Sequence, residues 1–246
     1  MEPDELLRAF AGLAADIRTR LAGLEHPARR ARTERPGQYA IDVLADEVAC
    51  THLHRLGVRV VSEESGVSGD VTADVTVVVD PVDGSTNAAR GIPFWATSVC
   101  ALDAAGPLAA LVVNQATAES WTAVRGGGAA RDGVPIRPAP TTRIEDAVVA
   151  LSTFPARLLP WRQFRVLGSC ALALAHVAAG SLDGYLDGGA VHAPWDYLGG
   201  LLLCREAGAL VHDVAGLPLE VTDPGARRHL LAAATPELAA ALRPAA

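Results

Sequence analysis

The chain has 246 residues with 21 basic and 28 acidic side chains, a net charge of -7, and half of its residues hydrophobic. That balance argues against a nucleic acid polymer or an anionic membrane as the main partner, and the apolar content is enough for one large domain or two tightly joined halves. Every Lys/Arg-type charge is an arginine, so no lysine serves as a Schiff base or phosphate ligand. Cys50, Cys100, Cys170 and Cys204 are far apart and form no CxxC pair, which reads as buried thiols and not as a disulfide frame or zinc site. The start, MEPDELLRAF, is acidic without a signal-type apolar core, and no apolar run approaches a membrane span. The expectation is a soluble cytoplasmic protein.

In chain order, Leu6, Phe10, Leu13, Ile17, Leu21 and Leu24 show helical spacing. The basic, Pro/Gly-flanked stretch 26–38 breaks it and predicts an exposed loop. A second helix is expected over 39–56, a short strand over 58–62, and a valine-rich strand over 74–80. Three strand-like runs at 95–103, 107–114 and 118–125 predict an antiparallel meander, followed by a hairpin over 125–137. Gly126, Gly127 and Gly128 belong to that hairpin, since no strand–GxGxxG–helix context surrounds them. From Ala147 onward strands and helices alternate: strands at 147–153, 184–189, 209–216 and 229–234, and helices within 165–180, 195–208 and 235–243. The result is an α/β protein: an α+β half (1–140) with an antiparallel sheet, joined to an α/β half (141–246) that contributes Asp196.

The stretch VVVDPVDGSTN raises the chemical question. Pro81 stiffens a turn after the valines, so that Asp80, Asp83 and the carbonyl of Val82 can face the same exposed end. Converging hard oxygen ligands suit Mg²⁺. Gly84, Ser85 and Thr86 open what reads as a short helix, whose free N–H groups bind anions. A single Asp here would be an ordinary helix cap. However, SEESG places Glu63 and Glu64 at the end of the neighbouring strand, and APWDYLGG places Asp196 at a helix start. Carboxylates thus arrive from three segments. His52 and His54 point to different faces of their helix and make poor metal partners. Trp195 reads as packing that orients Asp196.

On EES, DPVDGSTN, GIPFWATS, VRGGGA, GSCALALAHVAAG and PWDYLGG, in that order, the chain resembles the inositol monophosphatase family over nearly its whole length. The resemblance implies a layered αβαβα sandwich, a site between the halves, and two to three Mg²⁺. It implies Glu63, Asp80 and the Val82 carbonyl as ligands of a first ion, and Asp80, Asp83 and Asp196 as ligands of a second. A third, weaker ion would lean on Glu63. Ser85 would position the attacking water with Asp42 behind it, and Gly84, Ser85 and Thr86 would hold the phosphate. The implied substrate is a small phosphorylated polyol, sugar or nucleotide, with inositol monophosphate leading. Histidinol phosphate, a sugar bisphosphate, a 3′-phosphonucleotide or a specialised-metabolite intermediate are the alternatives within the enzyme class, and a non-catalytic phosphate binder is the alternative outside it. Family members commonly have a lysine upstream of the Asp42 segment, which this chain lacks, and a Glu seven residues before the second-half Asp. Gly189 stands at that second position, so Asp187 or His192 is expected to contact the leaving group. The resemblance also implies a homodimer through the antiparallel half, whose runs such as PLAALVVNQ are largely apolar.

Overall fold

Leu6, Phe10, Leu13, Ile17 and Leu21 form one buried stripe of α1 (Pro3–Ala22) in the computed structural model, which describes residues 1–155 and 157–245. The helix begins with proline, has Asp4 and Glu5 in its first turn and Arg20 in its last, which suits its dipole. A single turn, α2 (His26–Arg29), interrupts the expected loop, and α3 (Ala40–His54) follows. Next come β1 (Arg59–Ser62), β2 (Gly66–Gly69), β3 (Thr76–Asp83), α4 (Ser85–Arg90), β4 (Ala96–Asp103), β5 (Gly106–Asn114), β6 (Ser120–Val124), β7 (Gly128–Arg131) and β8 (Val134–Pro135). They form an eight-stranded sheet in the order β2-β1-β3-β4-β5-β6-β7-β8. Only the β1–β3 pair in it is parallel.

The second half supplies β9 (Val148–Leu151), β10 (Gln163–Arg165), α5 (Cys170–Ala178), β11 (Gly184–Leu186), α6 (Pro194–Ala207), β12 (Leu210–Asp213), β13 (Leu230–Ala233) and α7 (Pro236–Leu242). Its sheet runs β10-β9-β11-β13-β12, with β9 parallel to both neighbours and β13 antiparallel to both of its own. β2 and β10 were not foreseen. Each is three or four residues, and β10 is exposed throughout, so neither carries a hydrophobic period.

Five layers result. On β5, Ala109, Leu111 and Val113 face α1 and α3, whereas Ala110 and Val112 face α5 and α6. Val77 and Val79 of β3 likewise face one way and Val78 the other. A sheet covered on both faces needs apolar residues at every position. The apolar run 107–114 is therefore consumed inside the chain and no longer argues for a partner subunit. α5 and α6 fill the middle layer against the second sheet, whose outer face is covered by α7. The glycines of α6 allow this closeness: a Cβ on Gly199 would lie 2.7 Å from Ser98 Oγ, and one on Gly200 2.5 Å from Leu174 Cβ.

The valine strand does not stop in a turn at Asp80, as expected. β3 continues to Asp83 through a bulge, where pairing with β4 shifts from Asp80–Ser98 to Asp83–Ala96. Pro81 has no N–H to give a ladder, and a bulge is where a strand tolerates it. Its carbonyl accepts from Thr97 Oγ1 at 2.8 Å.

Candidate metal centre and active site

The bulge brings Asp80 and Asp83 to the edge of the middle layer, where α6 begins. One carboxylate oxygen from each of Asp80, Asp83 and Asp196 lies within 4.8 Å of the others. Asp196 is the third residue of α6, two after Pro194, and its Oδ2 accepts from the Ala193 N–H at 2.7 Å. Trp195, packed in the central core, holds that helix start in place. Asp80 Oδ1 accepts from the Val82 N–H at 3.0 Å. Glu63 lies just beyond β1, its N–H bonded to the Val79 carbonyl at 3.2 Å.

So much negative charge in one place leaves its mark. Burial, then Asp196 and Glu64, push the Glu63 carboxyl up to about 8. Burial and Asp196 push Asp83 up to about 6, against hydrogen bonds from Ser169 and Ala171. Asp80, 1 % exposed, is raised well above the carboxylate range by burial and then by Glu63, Asp83 and Asp196. Packed carboxylates disfavour one another's charge unless a cation joins them. An all-oxygen set of this kind fits Mg²⁺.

Asp83 is also tied to the second half. Its Oδ2 accepts from Ser169 Oγ at 2.5 Å and from the Ala171 N–H at 2.7 Å, at the start of α5. Asn87 Nδ2 crosses the same seam, donating to the carbonyls of Phe94 (2.7 Å) and Leu167 (2.8 Å). Gly84 has φ 95°, and a Cβ there would lie 2.9 Å from the Gly168 carbonyl oxygen, so this junction requires glycine. The sequence reading passed over Ser169, although a serine before an apolar helical run is an N-cap signal.

Ser85 Oγ donates to the Val82 carbonyl at 3.0 Å. Asp42 is buried on α3, and its Oδ2 accepts from the Tyr39 N–H at 2.8 Å. Its Oδ1 has no hydrogen-bond partner among the described residues. Burial pushes this carboxyl up to about 6, against the lowering effect of the Tyr39 N–H and nearby Ser85. Thr86 is exposed, and the Tyr39 hydroxyl reaches its Oγ1 at 3.4 Å. Where a lysine was missed, arginines stand: Arg32 bonds the Tyr39 hydroxyl at 2.8 Å, and Arg35 pairs with Glu64 at 3.2 Å. His52 and His54 go separate ways, to Asp16 and Ser68. All four cysteines are free.

One expectation is corrected. Asp187 is 0 % exposed and does not reach the mouth of the site. Its Oδ1 accepts from Ser152 Oγ at 2.5 Å, and its Oδ2 has no partner among the described residues. Asp187 follows directly on β11, and the strand turns its side chain inward, behind His192. His192 does line the pocket, bonded through Nε2 to the Tyr185 hydroxyl at 2.5 Å and lying 3.4 Å from Asp196 through Nδ1. Burial alone would lower this imidazole, but Cys170 and the Asp196 carboxylate outweigh it and raise it.

A five-layer α/β sandwich with an acidic oxygen cluster between its halves defines the class of metal-dependent phosphatases built on this fold. The chain belongs to the inositol monophosphatase family, whose profile matches residues 38–246. It is 34% identical over 184 residues to a fructose-1,6-bisphosphatase of Pyrococcus furiosus, covering 74% of this chain and 72% of that protein. It is 39% identical over 186 residues to the fructose-1,6-bisphosphatase/inositol-1-monophosphatase of Thermococcus kodakarensis, covering 74% and 71%. A Pyrococcus horikoshii structure with similarities to inositol-1 monophosphatase superposes with a TM-score of 0.90 at 26% identity, covering 100% of this chain and 99% of that one. No helix among the described residues is long and apolar enough to cross a membrane.

Proposed function

We propose that the protein is a Mg²⁺-dependent hydrolase of small phosphate monoesters. The observation that carries this reading is the meeting of Asp80 and Asp83 with Asp196, more than a hundred residues away in the chain, in one oxygen cluster. Glu63, Asp80, the Val82 carbonyl, Asp83 and Asp196 would hold two ions, and Glu63 would support a third. When bound, Mg²⁺ supplies Lewis acidity and acidifies a water. Ser85, held against Val82, orients the attacking water, with Asp42 behind it as its acidic partner. The N–H groups of Gly84, Ser85 and Thr86 at the start of α4, which have no partner within the helix, hold the phosphate. Phosphoryl transfer needs chiefly positioning and charge neutralisation, and these groups provide both.

Inositol monophosphate and fructose 1,6-bisphosphate, the compounds in the relatives' names, are the first substrates to try. The family resemblance, not an exposed strand run, is what supports a homodimer, which we assign to the cytoplasm. The test is phosphate release from both esters with Mg²⁺ and again after chelation. The reading requires release that stops with chelator, and turnover that survives chelation contradicts it.

A further inference from the structure

Beside Asp83 opens a pocket of about 370 Å³, placed where the carboxyl ends of the parallel strands β9 and β11 meet the start of α5. Ligands of α/β sheets bind at such strand ends. Asp83 lines it, so this space adjoins the acidic cluster and is open to a group attached to a phosphate held there.

Its walls are largely apolar. Ala150, Leu151, Leu167, Ala173 and Val191 contribute, and Val191 is 61 % exposed at the rim. Five of its polar side chains are already engaged with the protein, and the hydroxyl of Thr153, at the exposed edge, has no hydrogen-bond partner among the described residues. Tyr185 is bonded to His192, Ser152 to Asp187, and Ser169 to Asp83, each at 2.5 Å. Ser152 Oγ also accepts from the Gly188 N–H at 3.1 Å. Asp187, the carboxylate best placed in sequence to meet a substrate hydroxyl, is buried behind these groups. Beyond Thr153 at the rim the chain continues into Phe154, 69 % exposed, whose ring meets Phe164 at 6.1 Å; Phe164 in turn meets Trp161 at 6.2 Å.

A polyol placed here would, apart from Thr153 at the rim, exchange water for hydrocarbon and for side chains that already have partners, which is unfavourable for each unpaired hydroxyl. A flat apolar body would lose nothing of that kind and would bury its faces. We propose that this pocket takes the leaving group, and that the preferred leaving group is an alcohol with an aryl or similarly apolar ring and few hydroxyls. The inference rests on the phosphatase reading for the place of the phosphate, and it concerns only what the phosphate is attached to.

The test is calorimetric binding of two non-hydrolysable probes in Ca²⁺, 2-phenylethylphosphonate and 3,4-dihydroxybutylphosphonate. The aryl probe should bind about tenfold tighter or more, as expected for burial of a ring. Val191→Asp, at an exposed position, should bring that ratio close to one. Ala173→Ser, inside the pocket, should lower it in the same direction. Equal binding, tighter binding of the dihydroxy probe, or a ratio that neither substitution changes overturns the proposal. Hydrolysis of 2-phenylethyl phosphate with Mg²⁺ separates the two readings, since its leaving alcohol is as basic as a sugar hydroxyl. Tight aryl binding without turnover would support the pocket's preference and remove the phosphatase reading alone.

Discussion

Ser169 Oγ donates to Asp83 Oδ2 at 2.5 Å, across 86 positions of sequence. The same oxygen accepts from the Leu172 N–H at 3.3 Å and caps α5. One hydroxyl thus fixes the start of a helix in the second half and the orientation of a carboxylate in the first. A group behind a metal ligand sets that ligand's aim and basicity.

Ser169→Ala should therefore weaken Mg²⁺ binding about tenfold or more, the range usual for such supporting contacts. Ser169→Thr keeps the hydroxyl and should restore most of it. Calorimetric titration with Mg²⁺ checks this. Equal affinity in the alanine variant would reduce Ser169 to a helix cap.

The crowded carboxylates give a pH dependence with a definite sign. Glu63, Asp83 and Asp42 have folded values of about 8, 6 and 6 against ordinary values of 4.5, 3.8 and 3.8. In this window the folded chain holds more protons than the unfolded one, so stability falls as pH rises. The contribution is complete below about pH 4 and gone above about pH 8. Protein in chelator should melt higher at pH 5.5 than at pH 8.5. Saturating Mg²⁺ should raise the melting temperature more at pH 8.5, because the ligands must be deprotonated. A metal-free protein that is more stable at the higher pH would show that these groups do not carry the balance.

Ser85→Ala should lower kcat by about a hundredfold while KM changes much less, because the hydroxyl acts mainly on the attacking water in the transition state. Ser85→Thr keeps the hydroxyl and should retain most of the rate. Steady-state kinetics on one ester decides. An unchanged kcat in the alanine variant would leave only the backbone at this position in the mechanism.

Gly200→Ala tests the middle layer. The added Cβ would lie 2.5 Å from Leu174 Cβ, an atom fixed to its backbone. Overpacking of this kind costs about 1–3 kcal/mol. Alanine's better helix propensity, about 1 kcal/mol, offsets part of it. Urea denaturation should show a net loss, and a variant as stable as the parent would mean that α5 and α6 can move apart freely.

Much of this was legible in the sequence. Helical spacing announced α1, and the valine and alanine runs announced strands, because a buried stripe or a doubly covered sheet leaves its period in the residues. The acidic residues Asp80, Asp83 and Asp196 stood out because hard-ligand chemistry restricts the residue types. What was not legible depends on facing direction and on contacts between distant segments. The bulge at Pro81 leaves the same residues in the same order as a turn. The burial of Asp187 is set by how β11 meets β9, which no local pattern records. The bond from Ser169 to Asp83 joins two motifs that each make sense alone.

The most direct test of the central claim is phosphate release as a function of Mg²⁺ concentration, compared among the parent protein, Asp83→Asn and Asp196→Asn. If the carboxylates from the two halves hold metal together, each single variant should lose orders of magnitude of turnover at limiting Mg²⁺ while keeping its fold, since each removes one charge from a shared site. Turnover close to that of the parent in either variant would contradict the account.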